Sequence, residues 1–343
     1  MNKCSVAVVI PCYNVRQHII GVIEKIGLEV KNIYVVDDAS PDGVGNFVRM
    51  VCKDPRVKII FNPKNLGVGG AVIAGYKKAL EDRSDIIVKI DGDGQMDPAM
   101  IMNFVMPILL GRADYTKGNR FYYLEGLNSM PSIRIFGNAI LSFFTKISSG
   151  YWNIFDPTNG FTAIHAEIVR HLPLEKINPR YFFESDILFR LNILKAVVVD
   201  IPMVSHYGNE KSNLRINKII HEFMYFNIKN FLKRIFYNYY LRDLSIASIE
   251  LPVGLLLFGL GGCFGLYHWI SSANMGISTP VGTIILSATF LLSGLQLILA
   301  FLGSDIASVP KHSLRELGLT SSFSWEPPQQ SAPPPEVETS QRV

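Results

Sequence analysis

From Leu251 to Ser304 the chain contains no Asp, Glu, Lys or Arg. No other feature restricts its fold as strongly. A charge-free stretch of that length lies either in lipid or deep in a large soluble core, and its length favours lipid. Leu251 to Ile270 and Pro280 to Leu302 are each long enough to cross roughly 30 Å of hydrocarbon. The link between them, Ser271 to Thr279, is short and uncharged, so the two segments are expected to form a hairpin. Lys233, Arg234 and Arg242 flank one end, and Lys311 and Arg315 the other. That distribution predicts that both ends face the cytoplasm. The mean hydropathy of +0.23 is therefore the average of an ordinary globular region and a membrane segment.

Residues on either side of the hairpin differ in character. Arg215 to Arg242 interleaves Lys218, Lys229, Lys233 and Arg234 with Phe223, Tyr225, Phe226, Phe231, Phe236, Tyr237, Tyr239 and Tyr240. Basic residues among aromatics suit a helix at a membrane interface. An amphipathic helix packed on the globular domain is the plainer alternative. Ser321 to Val343 is rich in Pro, Ser and Gln, cannot bury a core, and is expected to be disordered. The four cysteines, Cys4, Cys12, Cys52 and Cys263, form no CxxC pair. They are read as reduced thiols of a cytosolic compartment. The N-terminus is not read as a signal peptide, because its apolar run is short and ends in Pro-Cys-Tyr-Asn. The net charge of +4 is mild, and no nucleic-acid partner is expected.

The first part of the chain alternates strand and helix patterns. Ser5 to Ile10, Asn32 to Val36, Val57 to Phe61 and Ile86 to Ile90 are runs of apolar, largely β-branched residues. Val15 to Leu28 and Gly69 to Leu80 have helical spacing. Short connections between such elements predict an α/β fold with a mostly parallel, doubly wound sheet. These sheets bind ligands beyond the C-terminal ends of their strands. Each strand here ends in a polar cluster: Pro11–Asn14, Asp37–Asp42, Asn62–Gly67 and Asp91–Asp97. Four polar ends on one edge point to a site. Further on the alternation loosens. Ala113 to Gly118 and Ala196 to Ile201 read as strands, Ile133 to Ile147 as a helix, and Phe155 to Phe161 as a loop. Glu184 and Asp186 stand at the head of another helical pattern.

Lys89-Ile-Asp-Gly-Asp-Gly-Gln-Met-Asp-Pro98 carries the sharpest chemistry. Asp91 and Asp93, two apart on a glycine turn, can converge on one hard cation, Mg²⁺ or Mn²⁺, that keeps positions open for phosphate oxygens. Asp-x-Asp alone is a weak signal, since Asp-Gly is also common turn chemistry. Its place after a buried strand strengthens it. Asp97, before Pro98, reads as a helix cap. Asp37 and Asp38 sit where an acidic side chain can accept hydrogen bonds from a base or ribose, with helix capping as the alternative for either. Gly67-Val68-Gly69-Gly70 lacks the lysine and hydroxyl of a GxxxxGK[ST] phosphate loop.

The segments VVIPCYN, VVDDASPDG, NLGVGGAVIAGYKKA, KIDGDGQMDP, GNRF, FDPTNGF, FFESD and YGNEKSNL occur in this order. Together they resemble the family-two glycosyltransferases of GT-A fold. The closest likeness is to the polyprenyl-phosphate glycosyltransferase branch, and it covers about residues 5–215. The resemblance implies a Rossmann-like GT-A domain, a nucleotide-sugar donor (UDP- or GDP-linked), a polyprenyl-phosphate acceptor, undecaprenyl or dolichyl, and a Mg²⁺ or Mn²⁺ cofactor. It implies that Pro11, Tyr13 and Asn14 frame the nucleotide, with Asp38 or Asp37 at the base. Asp91 and Asp93 become the metal and diphosphate aspartates, with Gln95 beside them. Arg120 and Arg134 correspond to arginines that grip the acceptor phosphate, and Lys211 and Ser212 lie in a segment that closes over the site. Val15 stands where the family's first motif usually has Glu, so the resemblance does not extend to that donor contact. Arg120 and Arg134 have surface salt bridges as their plain alternative. Glu184 and Asp186 are candidates to orient substrate or to act as base. A phosphate nucleophile does not demand a strong base, and inversion at the anomeric carbon is expected.

The implied organisation is a catalytic domain over 1–214, juxtamembrane helices over 215–245, a hairpin over 251–302 and a cytoplasmic tail over 303–343. A bacterial inner membrane is the expected location. Two other readings compete. A processive polysaccharide synthase would carry Gln-x-x-Arg-Trp, and Trp152, Trp269 and Trp325 lie in no such motif. A non-catalytic, membrane-anchored nucleotide-binding scaffold is opposed by Asp91, Asp93 and Arg120. Gly259, Gly261, Gly262 and Gly265 suit helix–helix contact, either within the hairpin or in a homo-oligomer.

Overall fold

The computed structural model describes residues 4–123, 132–204 and 216–319. Lys211 and Ser212, and the expected disorder of 321–343, lie outside the described residues. The apolar runs form strands β1 (Val6–Cys12), β2 (Val30–Asp37), β3 (Val57–Phe61) and β4 (Ile86–Lys89). They are followed by β5 (Tyr115–Asn119), β6 (Thr162–His165) and β7 (Val198–Pro202). One sheet holds all seven in the order β3-β2-β1-β4-β6-β5-β7. β3, β2, β1 and β4 are mutually parallel, and β6 runs antiparallel to both of its neighbours, β4 and β5. β7 pairs parallel with β5. The mixed, mostly parallel sheet matches the expected fold class. β6 does not follow from the sequence pattern: it has four residues, and its backbone partners on both sides define it.

Residue alternation along the strands divides the core in two. Val6, Val8, Ile10, Ile33, Val35 and Val88 point to one face. There they meet α1 (Ile19–Glu24), α2 (Val44–Val51) and α4 (Ile101–Leu109). Ala7, Val9, Tyr34, Val36 and Ile87 point to the other. They pack against α3 (Val68–Glu81) and, farther along, α7 (Phe183–Leu194). Val6 to Ile10 are wholly buried, and each of the valines and the isoleucine contributes roughly 1.5–3 kcal/mol of burial free energy. Helices α5 (Ser132–Ser149) and α6 (Ala166–His171) complete this domain.

Helix α8 (Ile216–Phe236), closed by a π-helical turn at Tyr237–Leu241, packs on the globular domain, the plainer of the two sequence readings. One face is stitched to the domain by buried asparagines. Asn227 accepts from Ser148 Oγ at 2.5 Å, Asn230 donates to Asp186 Oδ1 at 2.9 Å, and Asn238 donates to Asn192 at 2.9 Å. The other face leaves Tyr225, Ile228, Leu232 and Phe236 exposed.

The hairpin is α9 (Ala247–Asn274) and α10 (Val281–Ala307), longer at both ends than the apolar runs alone predict. Only 11% and 17% of their apolar windows are buried, which rules against the soluble-core reading. Gly261 and Gly294 let the helices touch: a Cβ at Gly294 would lie 2.4 Å from the Phe258 nitrogen. Gly261 and Gly265 thus serve contact inside the hairpin, whereas Gly259 meets nothing within 4 Å.

Arg234, read from sequence as a flanking charge, is fully buried. It grips Asp305 through Nη1 at 2.6 Å and Nη2 at 3.0 Å. Tyr239 and Trp152 donate to the same carboxylate at 2.7 and 2.9 Å. Beyond α10 the chain returns to the domain. Leu314 is buried and donates its N–H to Asp114 Oδ2 at 3.0 Å, and Arg315 caps the C-terminal carbonyls of α4. At the other end Ser248 in α9 donates to the Tyr239 carbonyl, so both ends of the hairpin are bonded to the same body, and residues 303–319 are ordered rather than tail-like.

Candidate active site

A cleft of about 570 Å³ opens at the C-terminal ends of β1, β2 and β4. Pro11, Cys12, Tyr13 and Val15 line one side, and Asp38 lies at its base. Asn65, Gly67, Val68 and Ala71 bring the start of α3 into the wall. Asp91, Gly92 and Asp93 come from β4, and Arg180 and Tyr181 from the loop before α7. All four polar strand ends thus reach one place, as doubly wound geometry requires.

The carboxylates beneath the cleft differ in their engagement. Asp37 accepts from Ser40 N at 2.7 Å and Gly45 N at 2.9 Å, which ties the loop to α2 and keeps it out of the lining. Asp38 lines the cleft, but its oxygens hold the loop after β3. They accept from Asn62 Nδ2 at 2.7 Å, Leu66 N at 2.9 Å and Gly67 N at 2.8 Å. Gly67 has φ +87° and lies against the Pro179 carbonyl, a conformation and clearance suited to glycine. Asn14 has φ 57° and donates its N–H to Ser40 Oγ at 2.8 Å, so it links the first two strand ends from outside the lining. Asp97 accepts from Ala99 N, as a cap should.

Asp91 and Asp93 stand together on the β4 wall. Asp93 Oδ1 accepts the Gln95 backbone N–H at 3.0 Å, which fixes the turn. Asp91 Oδ1 is 3.0 Å from the ammonium of Lys89, and the same ammonium is 3.0 Å from Glu184 Oε1. Burial pulls the Lys89 pKa down, but Asp91 and Glu184 outweigh it and hold the ammonium above the ordinary lysine range. Among the described residues no three His, Cys, Asp or Glu side chains are grouped to hold a metal by themselves. The pair instead fits a hard cation that takes its remaining ligands from a diphosphate and water.

The other sequence candidates lie farther out. Asp186 is saturated: Oδ2 accepts from Asn178 N at 2.9 Å and from Arg190 Nε at 3.1 Å, and Oδ1 accepts from Asn230. It joins α7, α8 and the loop that precedes α7. Arg120 follows β5 and forms a fork with Asp156, Nε at 2.7 Å and Nη2 at 2.8 Å. Arg134 lies in the first turn of α5. Nearby, burial pulls Lys117 down to about 8, against the pull of Glu184 and Asp156. Burial pushes Asp200 up to about 6.

Sequence reasoning missed Lys89, Arg180 and Tyr181. The only signal was local: Lys89 interrupts an apolar strand, and Arg180-Tyr181 precedes the Phe-Phe-Glu-Ser-Asp segment.

Comparison with known proteins agrees with this geometry. Residues 7–172 match the family described as glycosyl transferase family 2. The chain is 29% identical over 202 residues to undecaprenyl-phosphate mannosyltransferase of Micrococcus luteus, a match covering 58% of this chain and 82% of that one. It is also 29% identical over 213 residues to UDP-N-acetylglucosamine–dolichyl-phosphate N-acetylglucosaminyltransferase of Methanococcus voltae, covering 58% and 84%. In fold it is similar to glucosyl-3-phosphoglycerate synthase from Mycobacterium tuberculosis, solved with Mn²⁺, uridine diphosphate and phosphoglyceric acid. That superposition has a TM-score of 0.51 at 18% identity and covers 67% of this chain and 78% of the other.

Proposed function

We propose that this chain, a glycosyltransferase carrying a family 2 domain, moves a sugar from a nucleotide diphosphate donor to a polyprenyl phosphate at the membrane surface. The observation that carries the reading is that the Asp91–Asp93 cleft and an exposed apolar hairpin belong to one packed body. A soluble acceptor would need no such anchor. An isoprenoid acceptor never leaves the bilayer, so its phosphate must be met there. The relatives named for undecaprenyl and dolichyl phosphate support the same acceptor class.

Within the cleft, the exposed ring of Tyr13 offers a face for the base, and the start of α3 presents its positive dipole end to phosphate. Arg180 adds a cationic group on the opposite wall. Asp91 and Asp93 would hold a divalent cation, Mg²⁺ or Mn²⁺, whose bound charge offsets the negative charge growing on the leaving diphosphate. A phosphate oxygen of the acceptor attacks the anomeric carbon as the bond to the diphosphate oxygen breaks, with inversion. The nucleophile is already anionic near neutral pH, so no side chain need take its proton. Glu184, engaged by Lys89, orients the site. Arg120 and Arg134 are the candidates to receive the acceptor phosphate, whose geometry guanidinium matches. The exposed face of α8 and the hairpin seat the domain on the cytoplasmic leaflet.

The test is direct. Purified full-length protein is incubated with UDP- and GDP-sugars, Mg²⁺ or Mn²⁺, and undecaprenyl or dolichyl phosphate, and lipids are read by mass spectrometry. A sugar phospholipid with at least one donor is expected. Sugar transfer only to a glycan hydroxyl, or to no acceptor at all, would overturn the reading.

A further inference from the structure

We infer that Lys89 is a resident counter-ion that makes capture of the divalent cation depend on the donor's diphosphate. The inference rests on the reading of Asp91 and Asp93 as the cation's ligands. Lys89 ends β4 and its side chain is 1% exposed. Its ammonium lies 3.0 Å from carboxylates on two elements distant in sequence, Asp91 and Glu184. A buried cation is costly unless paired, and well-packed apolar residues often replace such pairs without loss of stability. Ile87, two residues earlier on the same face of β4, is apolar. Stability alone therefore does not call for lysine at this place.

The charges do. Without the ammonium, the buried Glu184 and the partly exposed Asp91 would face each other uncompensated, with Asp93 adjacent. Affinity for a hard cation follows the negative charge around its ligands, so Asp91 and Asp93, with the charge of Glu184 no longer compensated nearby, would hold a cation more tightly unaided. With the ammonium in place, the Asp91–Lys89–Glu184 group keeps a single net negative charge, and one Asp91 oxygen is occupied. Adequate ligand charge then arrives only with the diphosphate. Gly160 keeps the ammonium in position: a Cβ there would lie 2.6 Å from Lys89 Nζ and 2.1 Å from Asp91 Oδ2. The loop carrying Gly160 is pressed against the pair and leaves the ammonium no space on that side. Lys89 is thus a positioning residue. It sets the charge and the orientation of Asp91 without touching substrate.

Paramagnetic resonance titration of the full-length protein with Mn²⁺ alone tests this, together with calorimetric titration of UDP and GDP at saturating Mn²⁺. Lys89→Met should bind Mn²⁺ alone about tenfold tighter than wild type or better. Lys89→Arg, which keeps the charge, should stay near wild type. Glu184→Gln leaves the ammonium to Asp91 alone and should weaken Mn²⁺-supported nucleotide binding about fivefold. Unchanged Mn²⁺ affinity in a folded Lys89→Met protein overturns the inference. If that variant does not fold, unchanged binding in Glu184→Gln overturns it. Asp91→Asn separates the two claims. If it leaves Mn²⁺-supported nucleotide binding intact, the ligand reading itself fails. If it abolishes binding while Lys89→Met changes nothing, only the counter-ion role fails.

Discussion

Asp305 and Asp91 are the same residue in opposite circumstances. Asp305 is enclosed by four donated hydrogen bonds, two from Arg234 and one each from Tyr239 and Trp152. Its acceptor capacity is used, and it fastens the hairpin to the domain. Asp91 has one ammonium partner and a side chain 29% exposed in a cleft. A carboxylate whose lone pairs are filled by the fold holds structure together. One that the fold holds on one side and opens on the other is placed to bind something else. By this criterion Asp37, Asp114 and Asp186 belong with Asp305.

Three substitutions probe that division, the largest effect first. Asp305→Asn removes the charge opposite a buried guanidinium and should destabilise the protein by about 3–5 kcal/mol. Thermal unfolding in detergent reads this, and a wild-type melting temperature would break the comparison. Asp93→Ala should leave the melting temperature nearly unchanged and lower turnover about 10²–10³-fold, the usual loss when one preorganised electrostatic contact is removed. Production of lipid-linked sugar measures it, and wild-type turnover would remove Asp93 from the site.

The smallest effect concerns pH. Burial raises Asp200 to about 6, against the pull of the Phe155 N–H, Lys117 and Asn119 and with a push from Asp156. The folded state therefore holds this proton more tightly than the unfolded chain does. Its contribution to stability falls as pH rises from the ordinary carboxylate range to about 6, and is level above that. Asp200→Asn should flatten the melting-temperature profile across that window. An unchanged slope would place the titration elsewhere.

The first four strands were legible because strands of a parallel sheet read as short, mostly apolar and β-branched runs. The hairpin was legible for a similar reason, since lipid tolerates no unpaired charge. β6 was not, because Thr162-Ala163-Ile164-His165 is no apolar run and only its pairing with β4 and β5 defines it. The site divides in the same way. Asp91 and Asp93 could be singled out by a glycine turn at a strand end. Choosing between Asp37 and Asp38 required knowing whose N–H groups each accepts, and those come from residues up to 29 positions away. The structural role of Arg234 was hidden for the same reason: its partner lies 71 positions downstream, beyond an entire hairpin.

The sequence by itself determined a mostly parallel α/β sheet, a polar edge with a carboxylate pair, and two apolar spans, because each rests on local periodicity and local charge. Only the tertiary structure decided which carboxylates are spent on the fold and which stand open. It also brought Lys89 between Asp91 and Glu184 and bonded both ends of the hairpin to one domain. Those outcomes depend on side chains far apart in the chain meeting at about 3 Å, a distance that no local pattern encodes.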